Sequence, residues 1–186
     1  MNKLKFAILL IIVGGMLGLG VSLLSAEIIK NTNDAAFCGS CHSMKPMADT
    51  FKLDVHGGKN EHGFVAECAD CHLPKDNIVN YMVKKTSHGI NDVFKEVFTD
   101  TDKIDWISLR NERERFVYDS GCLSCHQNLL NKTEADNPRS LELHAKYNQT
   151  QQGDEPLNCV SCHVTVGHNG MLRSELNKYY PEYTFK

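Results

Sequence analysis

Cys-x-x-Cys-His occurs four times in this chain, at Cys38-x-x-Cys41-His42, Cys68-x-x-Cys71-His72, Cys122-x-x-Cys125-His126 and Cys159-x-x-Cys162-His163. These copies account for all eight cysteines, so none is left over for a disulfide. The pattern is the attachment signature of a c-type haem. Each cysteine sulfur forms a thioether with one haem vinyl group, and the two intervening residues set the reach between the vinyls. The adjacent histidine then lies under the iron. Zinc is the alternative, because eight cysteines suffice for two four-cysteine sites. Zinc does not require a histidine directly after every second cysteine, and here all four copies have one. The chain is read as carrying four covalently bound haems, and its fold must be built around them.

Covalent haem attachment takes place outside the cytoplasm, so export is expected. Phe6 to Ala26 is 21 residues without a charge, flanked by Lys3 and Lys5 on one side and Glu27 and Lys30 on the other. That run is long enough to cross a bilayer as a helix and exceeds the roughly 7–15 apolar residues of a cleavable signal. Leu24-Ser25-Ala26 is a poor cleavage site. Residues 1–30 are therefore read as an uncleaved anchor, with a cleaved signal as the alternative. The lysines ahead of the span keep that end in the cytoplasm. This places all four haems outside the cytoplasm. Gly14, Gly15, Gly18 and Gly20 either line a packed helix face or simply meet lipid. The formal net charge of −3 gives no reason to expect nucleic-acid binding. Two propionates per haem, against one residual ferric charge, take that figure to roughly −7, an acidic surface suited to a basic patch on an acceptor.

The motifs fall in pairs. Cys38 to Cys68 is 30 residues, Cys122 to Cys159 is 37, and the gap from Cys68 to Cys122 is 54. The spacing suggests two dihaem modules, residues 31–75 and 121–186, separated by an insert at the membrane surface, residues 76–120. Apolar residues are too sparse for a conventional core in about 160 residues, so the porphyrins must supply the missing apolar volume and the haem-free chain should not fold. From about Asp76 to Phe98 the insert reads as a helix. Ile78 with Met82, Val79 with Val83, Ile90 with Phe94, Val93 with Val97 and Phe94 with Phe98 are i, i+4 apolar pairs. Lys103 to Tyr118 is expected to form a second helix. Asn128 to Pro156 is polar and loop-like, with a helical piece near Ser140 to Tyr147. Tyr179, Tyr180, Tyr183 and Phe185 follow no helical or strand period, which suits a docking segment or a tail packed on its own domain. The fold class is mainly α with much irregular structure: a transmembrane helix plus a small multihaem cytochrome c domain.

An anchor helix followed by four such motifs at these spacings resembles the NapC/NirT/NrfH family of membrane-anchored tetrahaem cytochromes. The resemblance also rests on "HGG" at His56 to Gly58, "CHLP" at Cys71 to Pro74 and "VGH" at Val166 to His168. "CHSMKP" at Cys41 to Pro46 looks most like the NrfH branch, which partners an ammonia-forming nitrite reductase. In that branch the methionine two residues after the first motif ligates haem 1, and Met44 stands in that place. The alternative keeps His42 on the iron, as at ordinary c-type sites. The resemblance further implies His168 with His72 on haem 2, His56 with His126 on haem 3, and His144 with His163 on haem 4. His62 competes with His56. In some NrfH complexes a lysine of the reductase ligates haem 4, and having His144 makes that contact unnecessary here. Asp92 matches an aspartate that covers the open face of haem 1, and Lys85 matches a lysine implicated in quinol binding. Both residues could equally belong to an ordinary charged helix face, and His88 near them is either a proton acceptor or a solvated interfacial histidine.

The family's activity would make this chain a quinol dehydrogenase. It would take electrons from menaquinol or ubiquinol and pass them to a periplasmic reductase, nitrite reductase first among the candidates. A NapC-type donor to nitrate or other reductases is one rival, and a cytochrome relay without a quinol site is another. A terminal reductase is a third, though the sequence lacks an Arg, Lys and His cluster for an oxyanion substrate.

Overall fold

The uncharged run lies inside one long helix, α1 (Lys3–Asn31), and not one of its residues is buried. In the computed structural model residues 2–101, 104–129 and 138–168 are described. At 29 residues, α1 is about 44 Å long, and it is the one helix among the described residues apolar and long enough to cross a membrane. A bend at Thr32, whose hydroxyl donates back to Ile28 O, ends it.

The remainder is a set of short helices, and no strand occurs among the described residues. They are α2 (Ala35–Cys38), α3 (Lys45–Phe51), α4 (Cys68–His72), α5 (Ile78–Phe98), α6 (Trp106–Arg110), α7 (Asp119–Cys125), α8 (Pro138–Thr150) and α9 (Cys159–Cys162). Three-residue 3-10 turns lie at Val55–Gly57 and Arg113–Arg115. Outside α1, only α5 exceeds 13 residues, as expected from its apolar pairs. Asn77 caps it, accepting from the Asn80 amide.

One expectation is corrected. Lys103 to Tyr118 is not a single helix: α6 stops at Arg110 and a separate turn follows. Arg110 Nε donates to Val164 O, and Arg113 donates to Val160 O and Ser161 O. Ser161 donates in turn to Glu114. These bonds tie the segment to α9 and outweigh the local preference for a continuous helix. The aromatic residues 179, 180, 183 and 185 lie outside the described residues.

The buried apolar side chains among the described residues are few: Ala48, Phe51, Ala66, Ala69, Leu73, Pro74 and Val160. Two close approaches hold this small core together. A Cβ on Gly121 of α7 would stand 2.0 Å from Asp70 O of α4, so only glycine lets these two motif helices meet. A Cβ on Gly57 would stand 1.9 Å from Phe51 O, which seats the His56 turn against α3. Tyr118 N–H donates to Cys71 O and Lys75 N–H to Ser120 Oγ across the α4–α7 contact.

Candidate haem centres

The leading cysteines lie beside each other within each pair of motifs, Cys38 by Cys68 and Cys122 by Cys159. With the α4–α7 contact between them, the four motifs adjoin in chain order, with α5 and α6 in the chain between the second and third.

In three motifs the peptide coils into a helical turn that carries its histidine. His72 is the last residue of α4, His126 N–H donates to Cys122 O at 2.9 Å, and His163 N–H donates to Cys159 O at 2.9 Å. A second imidazole faces each of these rings. The ring centres of His72 and His168 are 6.1 Å apart, those of His126 and His56 6.2 Å, and those of His163 and His144 6.4 Å. An imidazole nitrogen binds a metal at about 2.0–2.1 Å, so two rings across one iron have centres roughly 6.3 Å apart. All three pairs fit an iron between them.

The outer nitrogens are held by the protein. His72 Nδ1 donates to Phe116 O at 2.8 Å, and His56 Nδ1 meets the buried Asp54 carboxylate at 3.0 Å. His168 Nδ1 meets Thr50 Oγ1 at 3.2 Å, while the Thr50 hydroxyl donates to Met47 O. Such bonds on Nδ1 turn Nε2 toward the facing ring, the arrangement that orients metal-binding histidines. Desolvation lowers the pKa of His72, and with His72 alongside it pushes His168 down to about 4. Both rings are then neutral, the form that ligates. Among the described residues His144 Nδ1 is buried with no hydrogen-bond partner, a cost those residues leave unmet. Arg110 Nη1 is in the same position, and a haem propionate has the chemistry to satisfy it. His62 lies exposed on a turn, its amide bonded to Asn60 Oδ1, and it is the His56 ring that faces His126.

The first motif differs. α2 ends at Cys38, and the chain turns afresh at Cys41, whose carbonyl accepts from the Met44 and Lys45 amides. His42 is exposed and Met44 half-buried. The His42 amide donates to Glu96 Oε1 at 2.8 Å, and the Ser43 amide and hydroxyl donate to Glu96 Oε2 at 3.3 and 2.5 Å. The Ser43 hydroxyl, with the two amides, holds the Glu96 carboxyl below the ordinary range. Glu96 escaped the sequence reading, because a glutamate late in an amphipathic helix looks like any solvated one. Its one signal was its place one turn after Asp92.

Lys85 and Asp92, seven residues apart on α5, share a face that lies toward this motif. Lys85 lies near Cys38, and Asp92 near Cys38, Cys41 and His72. The Lys85 ammonium donates to Thr32 O at 3.1 Å and Asn33 Oδ1 at 2.6 Å, hanging α5 from the end of α1. Tyr81 donates to the same Asn33 oxygen at 3.0 Å, and Asn33 O accepts from the Ala69 amide of α4. Desolvation lowers the Lys85 pKa. His88 acts on His72 and is half-buried. Ile78, Val79, Val83, Ile90, Val93, Phe94, Val97 and Phe98 of the same helix are exposed.

The sequence profile of the NapC/NirT cytochrome c family, N-terminal region, matches residues 1–172. The chain is 30% identical over 178 residues to the cytochrome c-type protein NrfH of Wolinella succinogenes, covering 94% of this chain and 92% of that one. It is 27% identical to the tetraheme c-type cytochrome CymA of Shewanella oneidensis, covering 88% and 91%. It is also 30% identical to the cytochrome c-type protein TorY of Escherichia coli O157:H7, but spans only 46% of that protein's length, and 41% of TorC's. The fold matches a chain in the crystal structure of a cytochrome c nitrite reductase NrfHA complex bound to the inhibitor HQNO. That match has a TM-score of 0.52 at 22% identity and covers 84% of this chain and 88% of that one. With four haem motifs in place and a match over nearly its whole length, this chain belongs to the NapC/NirT family, as a membrane-anchored c-type cytochrome with four covalently bound haems.

Proposed function

We propose that this chain oxidises a membrane quinol, menaquinol or ubiquinol, and delivers the electrons to a reductase on the periplasmic side, an ammonia-forming nitrite reductase. The observation that carries the reading is the placement of Lys85. An ammonium has three donors; two go to Thr32 O and Asn33 Oδ1 at the end of the membrane helix, and, among the described residues, one remains. That third donor, next to the end of the membrane helix and near the first haem motif, would be within reach of a quinol headgroup at the bilayer surface.

Lys85 binds and orients a quinol oxygen. Asp92, when ionised, accepts a proton from a quinol hydroxyl and passes it to water. The exposed apolar side chains of α5 rest on the bilayer surface, as an amphipathic interfacial helix does, and hold both residues at quinol depth. Residues 31–75 and 121–186 form the two dihaem modules. Met44 holds haem 1, His72 and His168 haem 2, His126 and His56 haem 3, and His163 and His144 haem 4. When bound, the haems supply a series of one-electron carriers. Because His144 is on this chain, haem 4 needs no ligand from the partner. In a second acceptor class, the NapC-type donor to nitrate or other reductases, the same quinol site feeds a different reductase.

Binding of a quinol analogue to the full-length holoprotein in detergent tests the site. Lys85→Ala should weaken it by about tenfold, the loss of one hydrogen bond to a charged group, while leaving the haem spectrum intact. Unchanged binding would favour a relay without a quinol site. Purification from detergent-solubilised membranes identifies the reductase: an ammonia-forming nitrite reductase should accompany the chain, and another enzyme in its place would select the second class.

A further inference from the structure

We propose that Glu96 selects the ligand of haem 1: its carboxylate holds the first motif in a turn that keeps His42 off the iron and leaves the position to Met44. The proposal rests on the reading of Met44 as that ligand. It explains how a sequence that is a complete Cys-x-x-Cys-His motif would come to use a residue outside it.

The argument is a comparison among four copies of one motif. In the second, third and fourth, the histidine is delivered by a helical turn starting at the first cysteine. The amides of His126 and His163 return to Cys122 O and Cys159 O, and His72 sits within α4. In the first motif the corresponding amide, that of His42, is donated to Glu96 instead. Ser43 adds two further bonds to the same carboxylate. Hydrogen bonds to a charged acceptor are stronger than the neutral amide bond of a helical turn, and three of them converge on this one carboxylate, so the clamp outcompetes the helix. Its consequence is visible on both sides of the turn. The helical turn reopens at Cys41, placing Met44 at the start of α3. His42 instead lines a cavity of about 510 Å³ with Leu53, Ile104 and Trp106, and among the described residues neither cysteine of the motif nor Met44 lines it. The acceptor sits 54 residues away in the sequence, on the helix that carries Lys85 and Asp92. The choice of iron ligand is thereby tied to the proposed quinol site.

Glu96 is a positioning residue, and its test reads ligation rather than turnover. A five-coordinate ferrous haem held by imidazole shows an iron–histidine stretching band in resonance Raman spectra, and one held by a thioether does not. Six-coordinate haems 2 to 4 contribute none. The dithionite-reduced full-length wild type should lack the band. Glu96→Ala should gain it and show a lowered potential at one haem of four, and adding His42→Asn should abolish it again. Glu96→Gln keeps the shape and one acceptor oxygen but turns an amide toward the Ser43 donors, so it should show a weaker band. A band in the wild type would overturn the Met44 reading itself. Its absence from the wild type and from both Glu96 variants would overturn the clamp. So would loss of all four haems from both variants, since a ligand-selecting contact on one turn is not needed to fold the other three sites.

Discussion

Each of the facing histidines is held differently, and the differences predict how each will fail. His56 leans on a buried carboxylate and His168 on a threonine hydroxyl, whereas His144 has no partner on Nδ1 among the described residues. Replacing any one by alanine removes a single axial ligand. His56→Ala, His144→Ala and His168→Ala should each convert one low-spin haem to high-spin in electron paramagnetic resonance. His62→Ala should leave the spectrum unchanged, because its ring does not face His126. If His62→Ala behaved as expected for His56→Ala, the ligand assignment for haem 3 would be wrong. Sequence reading alone left His56 and His62 open, since both precede Cys68 on one loop. What separates them is the approach of Gly57 to Phe51 O and the buried Asp54, contacts that no spacing rule encodes. Glu96 stayed hidden for a related reason: its value lies in amides 53 and 54 residues away.

At the scale of elements, the two long helices were the most legible. A 21-residue uncharged run and five i, i+4 apolar pairs are periodic signals that survive without tertiary context. The segment before α7 does not continue as a helix although Arg110 and Arg113 look like helix-favouring residues, because their guanidinium groups are spent on carbonyls of α9 and of Val164 just after it. The join between α1 and α5 was not foreseen, and it makes a pH prediction. Binding by the Lys85 ammonium exists below the lysine's pKa and is lost as pH rises through it. Desolvation lowers that pKa from 10.5, so affinity for a quinol analogue should begin to fall at a lower pH than an ordinary lysine would allow. Lys85→Arg, charged at every accessible pH, should flatten the profile between neutrality and pH 10. Titration of analogue binding against pH checks this, and a profile identical in the two proteins would remove Lys85 from the site.

The whole molecule is a chain with little core of its own. Seven apolar residues, three of them alanines, are buried among those described, far short of what stabilises a domain of this length. The haems must serve as core as well as carriers. Mass spectrometry of the purified protein should give the chain plus four haems with residues 1–26 retained, and a mature start near Glu27 would contradict the uncleaved anchor. Chain produced without haem attachment should be protease-sensitive throughout the region after α1. A haem-free chain that resisted proteolysis there would show that the polypeptide alone suffices.

Electron entry is the claim on which the account turns, and stopped-flow spectroscopy of the oxidised full-length protein in liposomes measures it. Mixed with a menaquinol analogue, the wild type should show reduction of its haems. Lys85→Ala and Asp92→Asn should slow that phase by at least about tenfold, a loss of roughly 1.4 kcal/mol of transition-state stabilisation, while dithionite still reduces all four haems in each. Wild-type haems that stay oxidised with quinol and are reduced only by dithionite or a protein donor, or variants as fast as wild type, would contradict it.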